Sequence, residues 1–146
     1  MRIVDKAKKF LNQNPARLNF GLNEMRKIDY GSTRVVFRIT AGPMAGNVIK
    51  FPREGEHSKM NEAEVRTWNM AKQRDKTQYL CPVIDYDEKA YSWLIMESAE
   101  MGGSYDEERD FRDKIREEFP NQNMDLMGCN IGRHDGDMKL IDYAWR

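Results

Sequence analysis

The sequence has few cysteines and histidines and no long apolar segment near its start. Its two cysteines, Cys81 and Cys129, form no CxxC pair, so we expect reduced thiols in a cytoplasmic compartment. The two histidines, His57 and His134, are too isolated to form a zinc site. Residues 1–11 mix charged with apolar side chains, so we expect neither a signal peptide nor a membrane span there.

The chain also has no excess of either charge. It contains 24 lysines and arginines and 24 aspartates and glutamates, so no net field favours binding to nucleic acid or to an anionic membrane. The charged fraction of 33% is accompanied by 10% aromatic residues, which indicates a folded domain with a polar surface. The 146 residues fit a single domain, residues 1–146.

Local patterns predict an α+β fold with two layers and a seam near residue 100. Strands are predicted at 34–40, 47–51, 83–86, 91–96 and 138–141. Helices are predicted at 3–11 and 58–74, with a third helix that begins after Ser104 and ends before Pro120. The first two strands form a hairpin around the glycine-rich turn 41–46, and residues 121–137 form an irregular polar loop.

The helix after Ser104 has two sequence features that set our expectations. Ser104 and Glu107 have the spacing of a capping box, and Tyr105, Phe111, Ile115 and Phe119 are expected to supply apolar contacts. The mixed charges of residues 106–118 are typical of a solvated helix face.

Three oxygen-bearing residues near the end of the sequence suggest metal chemistry. Asp125 and Asn130 occur in the pattern D-L-x-x-x-N, and Asp142 follows a short apolar strand. Two carboxylates and a carboxamide suit Mg²⁺ and, through it, phosphate groups. The alternative is structural: such residues also cap loops and end strands.

Lys50 and Glu64 are predicted to form an ion pair. Lys50 lies within the apolar segment 48–51, where an ammonium group needs an anion, and Glu64 lies in the apolar stripe of helix 58–74. Such a pair can hold the α- and β-phosphates of a nucleotide. The alternatives are a solvated lysine, and a slightly rotated helix that exposes Glu64 and turns Glu62 or Val65 inward.

These motifs together resemble the protein-kinase superfamily, particularly its small divergent members, which share features with aminoglycoside phosphotransferases. The resemblance covers about residues 24–144. The matching segments are Gly31–Phe37 (phosphate-covering loop and second strand), Val48–Lys50 (V-A-I-K strand), Glu64 (helix C), Leu94–Ser98 (hinge), Asp125–Asn130 (catalytic loop) and Leu140–Ala144 (D-F-G segment).

The resemblance implies a role for each catalytic residue. Lys50 would hold the α- and β-phosphates, and Glu64 would orient Lys50. Asp125 would act as the base for an acceptor hydroxyl, and Asn130 and Asp142 would bind Mg²⁺. The implied cofactors are therefore ATP and Mg²⁺.

The resemblance also implies contacts to the rest of the nucleotide. Gly31, Ser32 and Thr33 would cover the phosphates, and backbone groups near Glu97 and Ala99 would bond the adenine. The implied fold is an antiparallel five-stranded N-lobe sheet with helix C, joined near Ser98 to a minimal C-lobe. The expected division is residues 1–98 for the N-lobe and hinge, and 99–146 for a truncated C-lobe.

Several departures from the kinase pattern shape the functional hypotheses. The phosphate loop keeps only Gly31 of three usual glycines, Asn123 replaces a common histidine, and Tyr143-Ala144 replaces Phe-Gly. With the later C-lobe helices absent from the sequence, we expect slow phosphotransfer, with a protein hydroxyl as acceptor. The alternatives are a pseudokinase-like module that binds a partner protein, and a homo-oligomer that completes the missing lobe.

Overall fold

The computed structural model describes most of the chain from Met25 onward, namely residues 25–30, 33–100, 102–122, 124–126 and 130–144. The helix predicted at residues 3–11 lies outside these residues. The chain divides into two units. The first contains residues up to Asn61 together with Ile84–Glu97, and the second contains Glu62–Val83 together with the residues from Ser98 onward.

The described residues form an α+β fold with a five-stranded antiparallel sheet, as predicted. The strand order is β1-β2-β3-β5-β4. The strands are β1 (Met25–Tyr30), β2 (Arg34–Ile39), β3 (Val48–Pro52), β4 (Val83–Tyr86) and β5 (Leu94–Met96). The sequence patterns did not predict β1, because this edge strand carries charged residues that mask a strand pattern.

The β2–β3 hairpin forms as predicted, because apolar side chains alternate along β2. Cross-strand neighbours include Phe37 with Ile49 and Val35 with Phe51. The core of this unit lies on the face that these side chains share; its buried members are Val35, Phe37, Ile39, Ile49, Phe51, Trp93 and Ile95. Burial of each large apolar side chain stabilises the fold by about 1.5–3 kcal/mol.

The strand predicted over residues 91–96 is shorter than expected and spans only Leu94–Met96. The backbone of Tyr91 is left-handed, with φ of 52°, which is incompatible with a strand. The carboxylate of Asp87 accepts hydrogen bonds from the backbone amide of Ser92 (3.2 Å) and from its hydroxyl (2.5 Å). These local side-chain bonds replace the strand pairing that the alternating pattern predicted.

Helix α1 (Ser58–Gln73) agrees with the prediction to within one residue and begins at a buried polar anchor. Asn61 is fully buried, and its side-chain amide donates to the carbonyl oxygens of Tyr91 (2.9 Å) and Lys50 (3.3 Å). Its carboxamide oxygen accepts a hydrogen bond from the guanidinium of Arg34 (3.1 Å), which is itself buried. The first turn of α1 is therefore fixed to β2, to β3 and to the segment before β5.

Helix α2 (Tyr105–Glu118) begins with the predicted capping box. The amide of Glu107 donates to the Ser104 hydroxyl (3.1 Å), and the amide of Ser104 donates to the Glu107 carboxylate (3.2 Å). Phe111 and Ile115 are buried as predicted, but Tyr105 is 73% exposed. Tyr105 precedes Phe111 by six residues, about one and two-thirds turns, and therefore lies off the apolar stripe.

The polar loop predicted over 121–137 contains an additional strand. β6 (Ile131–His134) pairs antiparallel with β7 (Asp137–Leu140), the strand predicted over 138–141. The two-residue connection Asp135-Gly136 has positive φ at both positions, 53° and 86°. This geometry matches the right-handed twist of a hairpin and favours Asp-Gly sequences.

Ion pairs fix both ends of α2 within the second unit. At its end, the Glu118 carboxylate lies 3.3 Å from the ammonium groups of Lys114 and Lys76. Hydrogen bonds from Lys114 and then Lys76 lower the pKa of Glu118 below its ordinary value of 4.5. At its start, a hydrogen bond from Arg133 on β6 likewise lowers the pKa of Glu107. No helix among the described residues is long and apolar enough to cross a membrane.

Candidate functional site

The second unit brings the three predicted oxygen-bearing residues into one bonded segment. The side-chain amide of Asn130 donates to the carbonyl oxygen of Asp125 (3.2 Å). The amide of Ile141 donates to the carbonyl oxygen of Asn130 (2.9 Å), which extends the β6–β7 pairing by one residue. Asp142 follows directly. The hairpin therefore sets the separation of Asn130 and Asp142, and the Asn130 side chain fixes the backbone at Asp125.

Tyr143, the residue after Asp142, is also held by hydrogen bonds, and one of its partners is Glu64, a predicted site residue. The amide of Tyr143 donates to the Glu64 carboxylate (3.2 Å). The Tyr143 hydroxyl donates to the carbonyl oxygen of Cys81 (2.8 Å), and the side chain is fully buried. The backbone on both sides of Asp142 is thus held, on one side at Asn130 and on the other at Glu64.

The side chains of Asn130 and Asp142 offer oxygen atoms, which are the ligands that hard divalent cations such as Mg²⁺ prefer. The side-chain nitrogen of Asn130 donates to the Asp125 carbonyl, so the side-chain oxygen lies on the opposite side of the carboxamide. This oxygen is the atom of the carboxamide that binds hard cations. Magnesium sites commonly use only one or two protein groups together with phosphates and water. The described residues contain no group of three or more His, Cys, Asp or Glu side chains that could hold a metal ion.

Lys50 and Glu64 are both buried. Lys50 is 4% exposed in the middle of β3, where every residue is buried, and Glu64 is fully buried on α1. The alternative of a solvated lysine is therefore wrong, as is the alternative of a rotated helix that exposes Glu64. Val65 is buried together with Glu64, so α1 buries a wider face than the apolar stripe that contains Glu64. The ion pair between Lys50 and Glu64 stays a prediction.

The predicted nucleotide-covering residues are only partly described. Gly31 and Ser32 lie outside the described residues. Thr33 is partly buried, and its carbonyl oxygen accepts a hydrogen bond from the amide of Arg53 (2.8 Å), so the loop end is tied to the residue after β3. Glu97 and Ala99 lie in the segment after β5, which has no regular secondary structure, and both are partly buried.

The segment after β5 is bound to the β6–β7 hairpin at Glu100. Glu100 and Arg133 exchange two backbone hydrogen bonds of 2.9 and 2.7 Å. Gly132 allows this approach, because a Cβ atom there would lie 2.9 Å from the Glu100 carbonyl oxygen and 3.0 Å from the Ala99 Cβ. The hairpin next to Asn130 and Asp142 is thereby fixed to the segment around Glu100.

Beside Asp125 lies a cavity that the sequence patterns did not predict. Its volume is about 560 Å³, and its lining is Arg112, Ile115, Arg116, Phe119, Pro120, Gln122, Met124, Asp125 and Leu126. Arg112 and Arg116 belong to the charged run that we expected to be only a solvated helix face. Their spacing of four residues, one turn of α2, could have indicated a shared face.

Comparison with known proteins found no family model and no curated protein that matches this chain.

Proposed function

We propose that this protein is a phosphotransferase of the protein-kinase type that binds ATP with Mg²⁺ and transfers the γ-phosphate to a protein hydroxyl. The observation that carries the proposal is the bonded segment around Asp142. Its preceding residue, Ile141, is bonded to Asn130, and its following residue, Tyr143, is bonded to Glu64. Asn130, Asp142 and Glu64 were selected from three separate motifs, and the bonds of this segment connect all three. If these residues only capped unrelated loops, there would be no reason for them to be connected.

The proposed chemistry uses the described side chains in distinct roles. Lys50 holds the α- and β-phosphates, and Asp125 accepts the proton of the acceptor hydroxyl. The hydroxyl oxygen forms a bond to the γ-phosphorus while the bond between that phosphorus and the β–γ bridging oxygen breaks. ADP leaves with the bonding electron pair. Asn130 and Asp142 would hold Mg²⁺, which would supply positive charge to offset the charge of the nucleotide phosphates.

Two features of the fold support these roles. Lys50 is buried in β3, where a charged ammonium group needs a compensating anion, and nucleotide phosphates are anions. Asp125 is exposed, so its carboxylate is accessible to an acceptor. Its backbone is meanwhile fixed by Asn130, and catalytic groups need such fixing to stay aligned.

The binding step is tested by isothermal titration with ATP in the presence and absence of Mg²⁺. We expect Lys50→Met to abolish binding, and Asp142→Asn to remove the dependence on Mg²⁺. The matched controls are Lys59→Met on the exposed side of α1 and Asp137→Asn at the exposed start of β7. Equal nucleotide affinity in Lys50→Met and Lys59→Met would contradict the proposal.

The transfer step is tested with γ-labelled ATP and a mixture of cellular proteins as acceptors. We expect label in protein with the wild type, and at least a hundredfold less with Asp125→Ala, since an aligned base contributes a factor of about 10²–10⁴. The nucleotide affinity of Asp125→Ala should stay unchanged. Transfer that survives this substitution would exclude Asp125 as the base.

The second candidate function is a nucleotide-binding module that acts by docking a partner protein. The observation that favours it is the anchoring of Tyr143, since a fully buried aromatic ring with a bonded hydroxyl holds its segment in one arrangement. A kinase that switches state needs this segment to move. ATP binding without any transfer that depends on Asp125 would favour this second function.

A further inference from the structure

The cavity beside Asp125 combines apolar walls with two guanidinium groups. Ile115 and Phe119 form buried parts of its wall, being 2% and 4% exposed. Arg112 and Arg116 project from the last two turns of α2, and Asp125 lies on the opposing segment. A volume of about 560 Å³ falls in the range of about 300–1,000 Å³ that is usual for ligand sites.

The two arginines are available to an incoming anion. Arg112 lies 3.7 Å from Glu108, and Arg116 lies 3.2 Å from Asp113. Both pairs lie within a single helix; the Arg116–Asp113 pair is exposed and the Arg112–Glu108 pair is only partly exposed. Exposed pairs of this kind contribute only about 0–1 kcal/mol. A ligand carboxylate that is held against an apolar wall can therefore compete with Glu108 and Asp113 for the guanidinium groups.

The spacing of the arginines matches an extended acidic peptide. Side chains four residues apart on a helix have Cβ atoms about 5–6 Å apart. Alternate residues of an extended chain point the same way and are about 6.6–6.8 Å apart. Two acidic side chains at alternate positions of a peptide can thus each reach one guanidinium while the neighbouring side chains contact the apolar wall.

We propose that this cavity is the acceptor site, and that it selects serine or threonine hydroxyls in peptide segments with acidic residues at alternate positions. This inference rests on the proposed function, because it takes Asp125 as the group that receives the hydroxyl proton. The acidic side chains are held by Arg112 and Arg116, and the hydroxyl residue extends toward Asp125.

The test uses two short peptides, each with a central serine. One carries glutamates at two alternate positions and the other carries glutamines there. Binding is measured by fluorescence anisotropy without nucleotide, so the result does not depend on catalysis. We expect the glutamate peptide to bind the wild type more tightly, and the double variant Arg112→Gln/Arg116→Gln to lose at least about tenfold in its affinity.

The matched control is Arg109→Gln. Arg109 lies on the same helix and bonds exposed acids, but it does not line the cavity. It should bind both peptides like the wild type. If the double variant fails to fold, Arg116→Gln alone replaces it, because the Arg116 side chain is 63% exposed. Equal binding of the two peptides by the wild type, or an equal loss in Arg109→Gln, would overturn the inference.

Transfer measurements separate this inference from the proposed function. If both hold, the double variant raises KM for the glutamate peptide while kcat and the affinity for ATP stay near the wild-type values. Arginine-dependent peptide binding without phosphate transfer would support a peptide site and reject the phosphotransferase. Transfer that depends on Asp125 but shows no preference for glutamate would support the phosphotransferase and overturn the acidic acceptor site.

Discussion

Asn61 offers the sharpest test of how the first unit holds helix α1. The change is Asn61→Ala, which removes two hydrogen bonds to carbonyl oxygens and one from the Arg34 guanidinium. Each neutral bond contributes about 1 kcal/mol and the charged one about 1.5–3 kcal/mol. We therefore expect the free energy of unfolding to fall by about 3–5 kcal/mol, a large part of the usual total of about 5–15 kcal/mol.

The matched control for this change is Asn69→Ala. Asn69 lies on the same helix and is partly exposed. Both substitutions gain the same intrinsic helix propensity, so their difference isolates the buried contacts. Urea denaturation followed by far-ultraviolet circular dichroism measures both free energies.

A second variant, Asn61→Asp, separates the components of the Asn61 network. It keeps an acceptor for Arg34 but loses both donors to the carbonyl oxygens, and we expect it to be destabilised as well. If Asn61→Ala and Asn69→Ala unfold with the same free energy, the buried network does not hold the helix.

Three further predictions concern the second unit. Tyr143→Phe should lower the free energy of unfolding by about 1–2 kcal/mol, measured by urea denaturation, because it leaves the buried Cys81 carbonyl without the hydroxyl donor. Lys114 and Lys76 lower the pKa of Glu118, so the ionised carboxylate stabilises the folded state. This stabilisation is complete above about pH 4.5 and is lost as the pH falls through the lowered pKa. The difference in Tm between wild type and Glu118→Gln should therefore disappear in acid. Gly132→Ala should be destabilising because the new Cβ would lie too close to a neighbouring carbonyl oxygen, whereas Gly55→Ala, where the added Cβ meets open space, should leave Tm nearly unchanged.

Local sequence signals predicted the elements whose formation depends on nearby residues. The β2–β3 hairpin followed from the alternation in residues 34–40 and the glycines of the turn, and the start of α2 followed from Ser104 and Glu107. The burial of Lys50 and Glu64 followed from their apolar neighbours. In each case the residues that determine the structure lie within a few positions of one another.

The features that the sequence did not predict depend on distant partners or on polar strands. Asn61 is an ordinary polar helix residue by sequence, and its structural role comes from distant partners, namely the backbone at Lys50 and Tyr91 and the side chain of Arg34. β6 carries Arg133 and His134, whose polarity concealed the strand, although the following Asp-Gly pair is a strong turn signal. The cavity could not be predicted because it requires α2 and the segment around Asp125 to lie side by side.

The placement of Asn130 and Asp142 at the two ends of one hairpin also affects the order of folding. A hairpin with a two-residue turn closes within about 1–10 μs, since its strands are near in sequence. The β3–β5 pairing joins Val48 to Met96 and must close a much longer loop, which is slower. We therefore expect the pair of proposed metal ligands to reach its final separation while the five-stranded sheet is still unformed.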